Sequence, residues 1–341
     1  MGDKTLRPLA LALLAQVLIG AALLVWATQG FPLPAGLSGG DARTPSTAAP
    51  AGPRAGDRTP PAAVGAAEDP GPALAPRPTT DRFDGRRAFA LLREQVLRFG
   101  WRPAGSAALR GLAVRLRALL PHGRFEPVPG HRGLRNVVGS IAGRGKAIVV
   151  GAHYDVEARP RGFVGANDGA AGSAAVVWLA RALARSPRER GDRPLRFVLF
   201  DGEEEPAGCV PFIACGLRGS KAYVARHDAA LRSLVLLDYV AAKHGLSLPR
   251  EGASDRGLWV QLRSAAVAVG VGALFPDTEG ISLLDDHTPF VERGIPAIDV
   301  IDFDYPPRDT LADDLDQVSE RSLDAVGEAV YRLVSRLRRA G

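Results

Sequence analysis

The stretch Leu195 to Glu205, LRFVLFDGEEE, sets an apolar run directly against four acids within five positions, Asp201, Glu203, Glu204 and Glu205. Phe197 to Phe200 does not alternate and is too short for a stable helix, so it reads as a strand buried on both faces. The acids then stand at the strand's carboxyl end, where open α/β sheets bind their ligands. Adjacent glutamates repel one another unless a cation or a shared proton holds them. Taken alone, the same run also fits a solvated acidic turn.

The flanking sequence weighs against the turn. Arg135 to Ile141 and Lys146 to Ala152 read as strands around a Gly143-Arg144-Gly145 turn, and the second runs into His153, Tyr154 and Asp155. Leu231 to Tyr239 is another buried strand, ending in Asp238, and Ile295 to Asp302 is a further one. Helical spacing covers Phe83 to Phe99, Leu109 to Leu120, Ala170 to Leu183, Ser220 to Arg226, Trp259 to Val269 and Ser319 to Arg338. Strands separated by helices make an α/β domain with a parallel or mixed sheet. Three of its strands end in metal-compatible side chains, His153, Glu203 with Glu204, and Asp238, which converge on one sheet edge. That convergence turns the acidic cluster into a metal site. Between Pro206 and Gly219 lies an irregular insertion with the two cysteines of the chain, Cys209 and Cys215. In an exported domain this pair can oxidise and stiffen the rim of the site.

The amino terminus adds a setting. Leu9 to Thr28 is a run without a charge, long enough to cross a bilayer, preceded by Lys4 and Arg7 and edged by Trp26. Residues 1–31 are therefore expected to be an uncleaved signal anchor or a signal peptide, with the poor cleavage site at Ala27-Thr28-Gln29 favouring the anchor. Residues 32–79 are rich in Pro, Ala and Gly and cannot bury enough apolar surface to order themselves, so they read as a linker. The catalytic domain is expected over 80–341, on the periplasmic or extracellular side of the membrane. The net charge of +6 comes from arginines scattered along helices and the tail, with no basic run interleaved with aromatics. This pattern argues against a nucleic-acid partner.

Metal-assisted chemistry on an amide needs oxygen and imidazole ligands, an open position, and a nearby carboxylate that moves a proton. GAHYD at 151–155, GANDGAAG at 165–172, FDGEEE at 200–205, LLDY at 236–239 and DDHTPF at 285–290 supply these in order. In this combination the chain resembles the M28 zinc peptidase superfamily, and within it the glutaminyl cyclase (glutaminyl-peptide cyclotransferase) branch, over roughly Phe99 to Val334. The resemblance implies an α/β fold with a single mixed, mostly parallel sheet sandwiched by helices. It implies zinc held by Asp168 and Glu204, with Glu203 as the proton-transferring carboxylate. In the two-zinc aminopeptidases His153 and Asp238, with Asp168 bridging, would hold a second ion. In the cyclases one zinc serves, and Asp238 and Asp285 join a hydrogen-bond network to the site. The insertion after Glu205, the doubled acid Asp285-Asp286 and Gly294-Ile295-Pro296 lean toward the cyclases.

One departure bears on the metal. Both branches carry a zinc-binding histidine before the last helix, and here Asp309 takes that place, after Arg308 where the cyclases carry a tryptophan. Three carboxylates make a metal a weaker Lewis acid and relax its selectivity toward harder ions. The expected activity is conversion of amino-terminal glutamine to pyroglutamate by a monomer acting on peptide N-termini. The alternatives are an M28 aminopeptidase and a non-catalytic peptide-binding ectodomain. His287 reads as a structural partner and Asp155 as a carboxylate that orients His153.

Overall fold

The computed structural model describes residues 73–339. The expected anchor and most of the expected linker lie outside these residues, and among the described residues no helix is long and apolar enough to cross a membrane. Ala73 to Thr79, assigned above to the linker, lie against the domain: Ala73 O accepts from Gly245 N at 3.0 Å, Thr79 N donates to Val269 O at 2.9 Å, and Ala75 is buried.

The helices before the sheet are α1 (Gly85–Glu94), which runs on as one π-helical segment Gln95–Phe99, and α2 (Ala107–Leu119). Each starts where the spacing and caps dictate, Asp84 accepting from Arg87 N and Ser106 from Leu109 N. The sheet follows, with strands β1 (Arg124–Pro127), β2 (Arg135–Ile141), β3 (Ala147–His153), β4 (Leu195–Phe200), β5 (Leu231–Asp238) and β6 (Ala297–Ile301). Between them and after them come α3 (Ala170–Arg185), α4 (Phe212–Cys215), α5 (Arg218–His227), α6 (Arg256–Ala268), α7 (Thr288–Glu292) and α8 (Glu320–Arg339).

The strand order is β1-β2-β4-β3-β5-β6. β1 and β2 pair antiparallel, as do β2 and β4, while β4, β3, β5 and β6 run parallel. This is the mixed, mostly parallel sheet that the resemblance implied. β1 was not expected, because RFEP has neither a run of apolar residues nor alternation and holds its place as a short edge strand.

Side chains alternate across the sheet. Ile148, Val150, Leu195, Phe197, Val235 and Leu237 join the core under α1, α3, α6 and α8, whereas Val149, Val198, Phe200, Leu234 and Leu236 join a smaller core with Tyr223 of α5 and Phe290 of α7. Each such buried side chain contributes about 1.5–3 kcal/mol. Small residues let α3 approach closely: a Cβ on Gly172 would stand 2.2 Å from Leu237 O. From β3 the chain passes through α3 to β4 on one side, then through α5 to β5 on the other. A crevice therefore opens at the carboxyl end of β3, the switch point where such sheets bind ligands.

Candidate metal centre

β3 delivers His153 to this crevice, β4 delivers Glu203 and Glu204, and β5 delivers Asp238. Asp168 comes from the turn before α3, Asp285 from the loop before α7 and Asp309 from the loop before α8. All seven predicted residues line one cavity of about 250 Å³, with Phe212, Leu284 and Phe303 among its apolar walls.

His153 is the hub. Its Nε2 is 3.1 Å from Asp168 Oδ1 and 3.4 Å from Asp238 Oδ1, and its Nδ1 is 4.0 Å from Glu203 Oε2 and has no hydrogen-bond partner although buried. Asp155 does not orient it as expected. At 3.9 Å from Nδ1 it is too far for a hydrogen bond, and its Oδ1 instead accepts from Glu203 N at 3.3 Å, fixing the start of the acidic turn.

Backbone geometry holds the acids in place. Leu217, with a φ of 56°, donates its N–H to Glu203 O at 2.8 Å, and Arg218 Nε donates to Gly202 O at 3.1 Å. Cys209 and Cys215 form a disulfide across α4, which carries Phe212 into the cavity wall. Asp313 accepts from Asn167 N at 2.9 Å and Asp168 N at 3.0 Å, while Tyr305 Oη donates to it at 2.9 Å. Beneath them Arg102 is wholly buried and donates to the carbonyls of Tyr154, Gly100 and Gly165. Sequence reading missed Asp313 and Arg102, since both act through backbone groups that side-chain spacing does not display.

Burial pushes the Glu203 and Glu204 carboxyls well above the usual range, and neighbouring acids add to it: Asp285 and Asp286 for Glu203, Asp168 for Glu204. Burial likewise raises Asp238 to about 7 against the opposing pull of His153. Burial lowers the proton affinity of His153, but hydrogen bonds to Asp168 and Asp238 outweigh it and raise it well above the usual value. So many buried carboxyl groups that resist ionisation in one crevice call for a cation to hold them charged.

The donor set fits one. Oxygen and nitrogen donors about 2.0–2.2 Å from a tetrahedral zinc lie about 3–3.5 Å from each other, the spacing of His153 Nε2 to Asp168 and Asp238. The donor atoms of His153, Asp168 and Asp238 lie within 4.8 Å of one another, as do those of His153, Glu203 and Glu204. Asp309 belongs to no such group among the described residues. With a φ of 59°, it turns its carboxylate toward Arg308 Nη1 at 2.7 Å and Tyr239 Oη at 3.1 Å. Tyr239 has a φ of 48° and also donates to Asp168 Oδ2 at 2.9 Å. The sequence reading placed this tyrosine in the LLDY stretch at 236–239 but gave it no role. His287, expected to be a structural partner, is wholly buried 3.3 Å from Glu251 and 3.6 Å from Asp299, and its donor atom lies within 4.8 Å of those of Asp285 and Asp299 as well.

A mixed sheet that gathers imidazole and carboxylates at the carboxyl ends of its parallel strands defines an α/β protein built for metal-assisted chemistry. The chain belongs to peptidase family M28, whose pattern matches residues 136–334. It is similar to the aminopeptidase YwaD of Bacillus subtilis, 28% identical over an alignment of 209 residues that covers 55% of this chain and 41% of that protein. The chain thus spans less than half the length of that curated relative. Among solved structures, a glutaminyl cyclase of Porphyromonas gingivalis is 28% identical with a TM-score of 0.66, covering 76% of this chain and 100% of that one. A leucine aminopeptidase precursor of Bacteroides thetaiotaomicron is 25% identical with a TM-score of 0.63, covering 77% of this chain and 99% of that one.

Proposed function

We propose that the protein is a zinc-dependent enzyme acting on the amino-terminal residue of peptides, and that it closes amino-terminal glutamine to pyroglutamate with release of ammonia. The observation that carries this reading is the setting of Glu203, a buried carboxyl facing a cavity of about 250 Å³ that it shares with Asp238 and Asp285. A cavity of that size admits one amino-terminal residue, and the likeness to the Porphyromonas gingivalis glutaminyl cyclase supports the choice of reaction.

Zinc would be held by Asp168 and Glu204 with His153 and Asp238 alongside, and when bound it supplies Lewis acidity toward the substrate's carbonyl oxygen. Glu203 takes the proton that the α-amine loses as its nitrogen bonds to the side-chain amide carbon. It returns that proton to the departing nitrogen, which leaves as ammonia. Asp238 and Asp285 set the field in which Glu203 exchanges this proton, and Phe212, Leu284 and Phe303 keep water from the reacting amide.

Hydrolysis of the first peptide bond is the second reading. The spacing of His153 Nε2 from Asp168 and Asp238 favours it, because it suits a second ion. In that case Glu203 takes its proton from the attacking water. Peptides beginning with Gln, Leu or Ala, given to the zinc-loaded protein and read by mass, separate the two. Loss of one ammonia from the Gln peptide alone supports cyclisation; free amino acids from the others support hydrolysis. The proposal extends to a membrane-anchored monomer outside the cytoplasm, supported by the uncharged run Leu9 to Thr28 and by the Cys209–Cys215 disulfide. A reporter fused after Thr80 that works only in the cytoplasm would contradict that setting.

A further inference from the structure

A second cavity of about 300 Å³ opens beside the first and shares Leu283, Ile301 and Phe303 with it. One of its walls is the end of β6, where Ile301 leads into Asp302, Phe303 and Asp304. The other is the strip from Glu279 to Leu283. Backbone hydrogen bonds fix that strip in place: Gly280 N donates to Arg250 O at 2.7 Å and Gly252 N to Ile281 O at 3.0 Å.

The lining is of two kinds. Leu283, Ile301 and Phe303 form an apolar floor, and Ile281 adds an exposed aliphatic side chain. The charged lining is acidic throughout, with Glu251, Glu279, Asp302 and Asp304 and no Lys or Arg. In a chain of net charge +6 this is a local reversal of sign. Glu251 and Glu279 are already engaged, the first by the N–H groups of Ala253 and Leu283, the second by Arg250. Arg308, over the Phe303 ring at 3.9 Å, is engaged by Asp309. Asp302 is placed differently. Burial pushes its carboxyl up to about 7 and Asp304 adds to this, opposed by a hydrogen bond from the Ser247 backbone and by no cation.

An apolar floor with acids beside it matches a side chain that has an aliphatic stem and a cationic head. The first cavity holds one residue, and the next Cα of a peptide lies only about 3.8 Å further on, so the second side chain sets out from the wall that the two cavities share. We propose that the second cavity receives the side chain of the peptide's second residue and favours Lys or Arg there. The stem lies along Leu283, Ile301 and Phe303, and the head meets Asp302 and Asp304. The inference rests on the proposal that the first cavity takes an amino-terminal residue, and is independent of whether that residue is cyclised or released.

The test measures binding apart from turnover. The full chain carrying Glu203→Gln, with zinc present, is titrated by calorimetry with peptides that begin Gln-Lys, Gln-Leu, Gln-Ala and Gln-Glu and are otherwise identical. The Lys peptide is expected to bind about fivefold tighter than the Ala peptide, the upper end for a charge pair partly open to water, and the Glu peptide more weakly than either. High salt should shrink the Lys advantage. Asp304 is exposed, so Asp304→Asn can be made without disturbing the core, and it should lower the ratio of Lys to Ala affinity below about twofold. A Lys peptide bound no tighter than the Ala peptide overturns the proposal, as does a preference that Asp304→Asn leaves intact. A Leu peptide bound as tightly as the Lys peptide overturns it too, since the pocket would then select apolar side chains. Ammonia release by the wild type judges the cyclase reading separately: a Lys preference without ammonia keeps the pocket and removes the reaction, and ammonia with equal affinities does the reverse.

Discussion

The two sides of the metal centre are built differently. On the sheet side His153 and Asp168 are only 3% and 2% exposed, and His153, Glu203 and Asp238 leave the ends of parallel strands. On the loop side the Asp309 side chain is 43% exposed, carries a φ of 59°, and answers to Arg308 and Tyr239. Strand ends are fixed by the ladder and by the core beneath them, so residue types there are tied to the fold. A loop before a helix is free of that tie. The sheet side carries His153, Glu203, Glu204 and Asp238, while the loop side carries Asp309 with Arg308 beside it. Asp168 touches both sides, through His153 at 3.1 Å and Tyr239 at 2.9 Å.

Replacing the proton carrier on the sheet side should have the largest effect. Glu203→Gln is expected to lower kcat by about 10²–10⁴-fold, the range of general acid–base catalysis. Metal content should stay unchanged, because Asp168, His153 and Asp238 remain. Ammonia release and metal analysis on the same preparation check this; loss of metal together with activity would make Glu203 a ligand and blur the division.

Binding of zinc should stabilise the whole domain, since its donors come from β3, β4, β5 and two loops. At a free concentration about 100 times its Kd, zinc should add about 2.7 kcal/mol, read as a shift in the urea midpoint. A shift that vanishes in Asp309→Ala but persists in Asp238→Asn would place the tighter site on the loop side.

The disulfide gives a smaller effect on stability and a distinct one on binding. Closing so short a loop is worth about 2 kcal/mol in the chain-entropy description, which the double variant Cys209→Ser with Cys215→Ser should lose. Because α4 carries Phe212 into the cavity wall, KM should rise more than kcat falls. An unchanged KM would show that the wall stands without its staple.

An effect confined to acid pH is expected from Glu251, which fastens the loop that brings Asp285 to the sheet side. Its carboxylate accepts from Ala253 N and Leu283 N, each at 2.9 Å. Burial works against its charge, but the neighbouring His287 and these backbone donors outweigh it and hold the group at about 2 rather than 4.5. A depressed folded value contributes stability that is fully present above 4.5 and is lost as pH falls toward about 2. Urea midpoints of the wild type and Glu251→Gln should differ at neutral pH and draw together below about pH 3. A gap that stays constant with pH would remove the charge from the account.

The sheet side was legible in the sequence for the same reason that it is rigid. Buried parallel strands read as short apolar runs, and their last residues announce what stands at the edge, as in Val198 to Glu204 or Leu234 to Asp238. Asp285 and Asp309 could be placed only through the resemblance to a family, because nothing in a loop's composition says where it folds. Tyr239 escaped because ordinary strand alternation would turn it away from the site, whereas its left-handed backbone turns it in. Asp313 and Arg102 escaped because they bind peptide groups. β1 escaped because an edge strand of RFEP carries no apolar pattern.

Asp168 joins the two sides, so metal content after exhaustive dialysis, measured for the wild type and Asp168→Asn side by side, tests the centre most directly. The account predicts that the wild type retains at least one equivalent of zinc and that Asp168→Asn, folded by circular dichroism, retains none. A wild type without zinc, or an Asp168→Asn variant that keeps as much as the wild type, would contradict it.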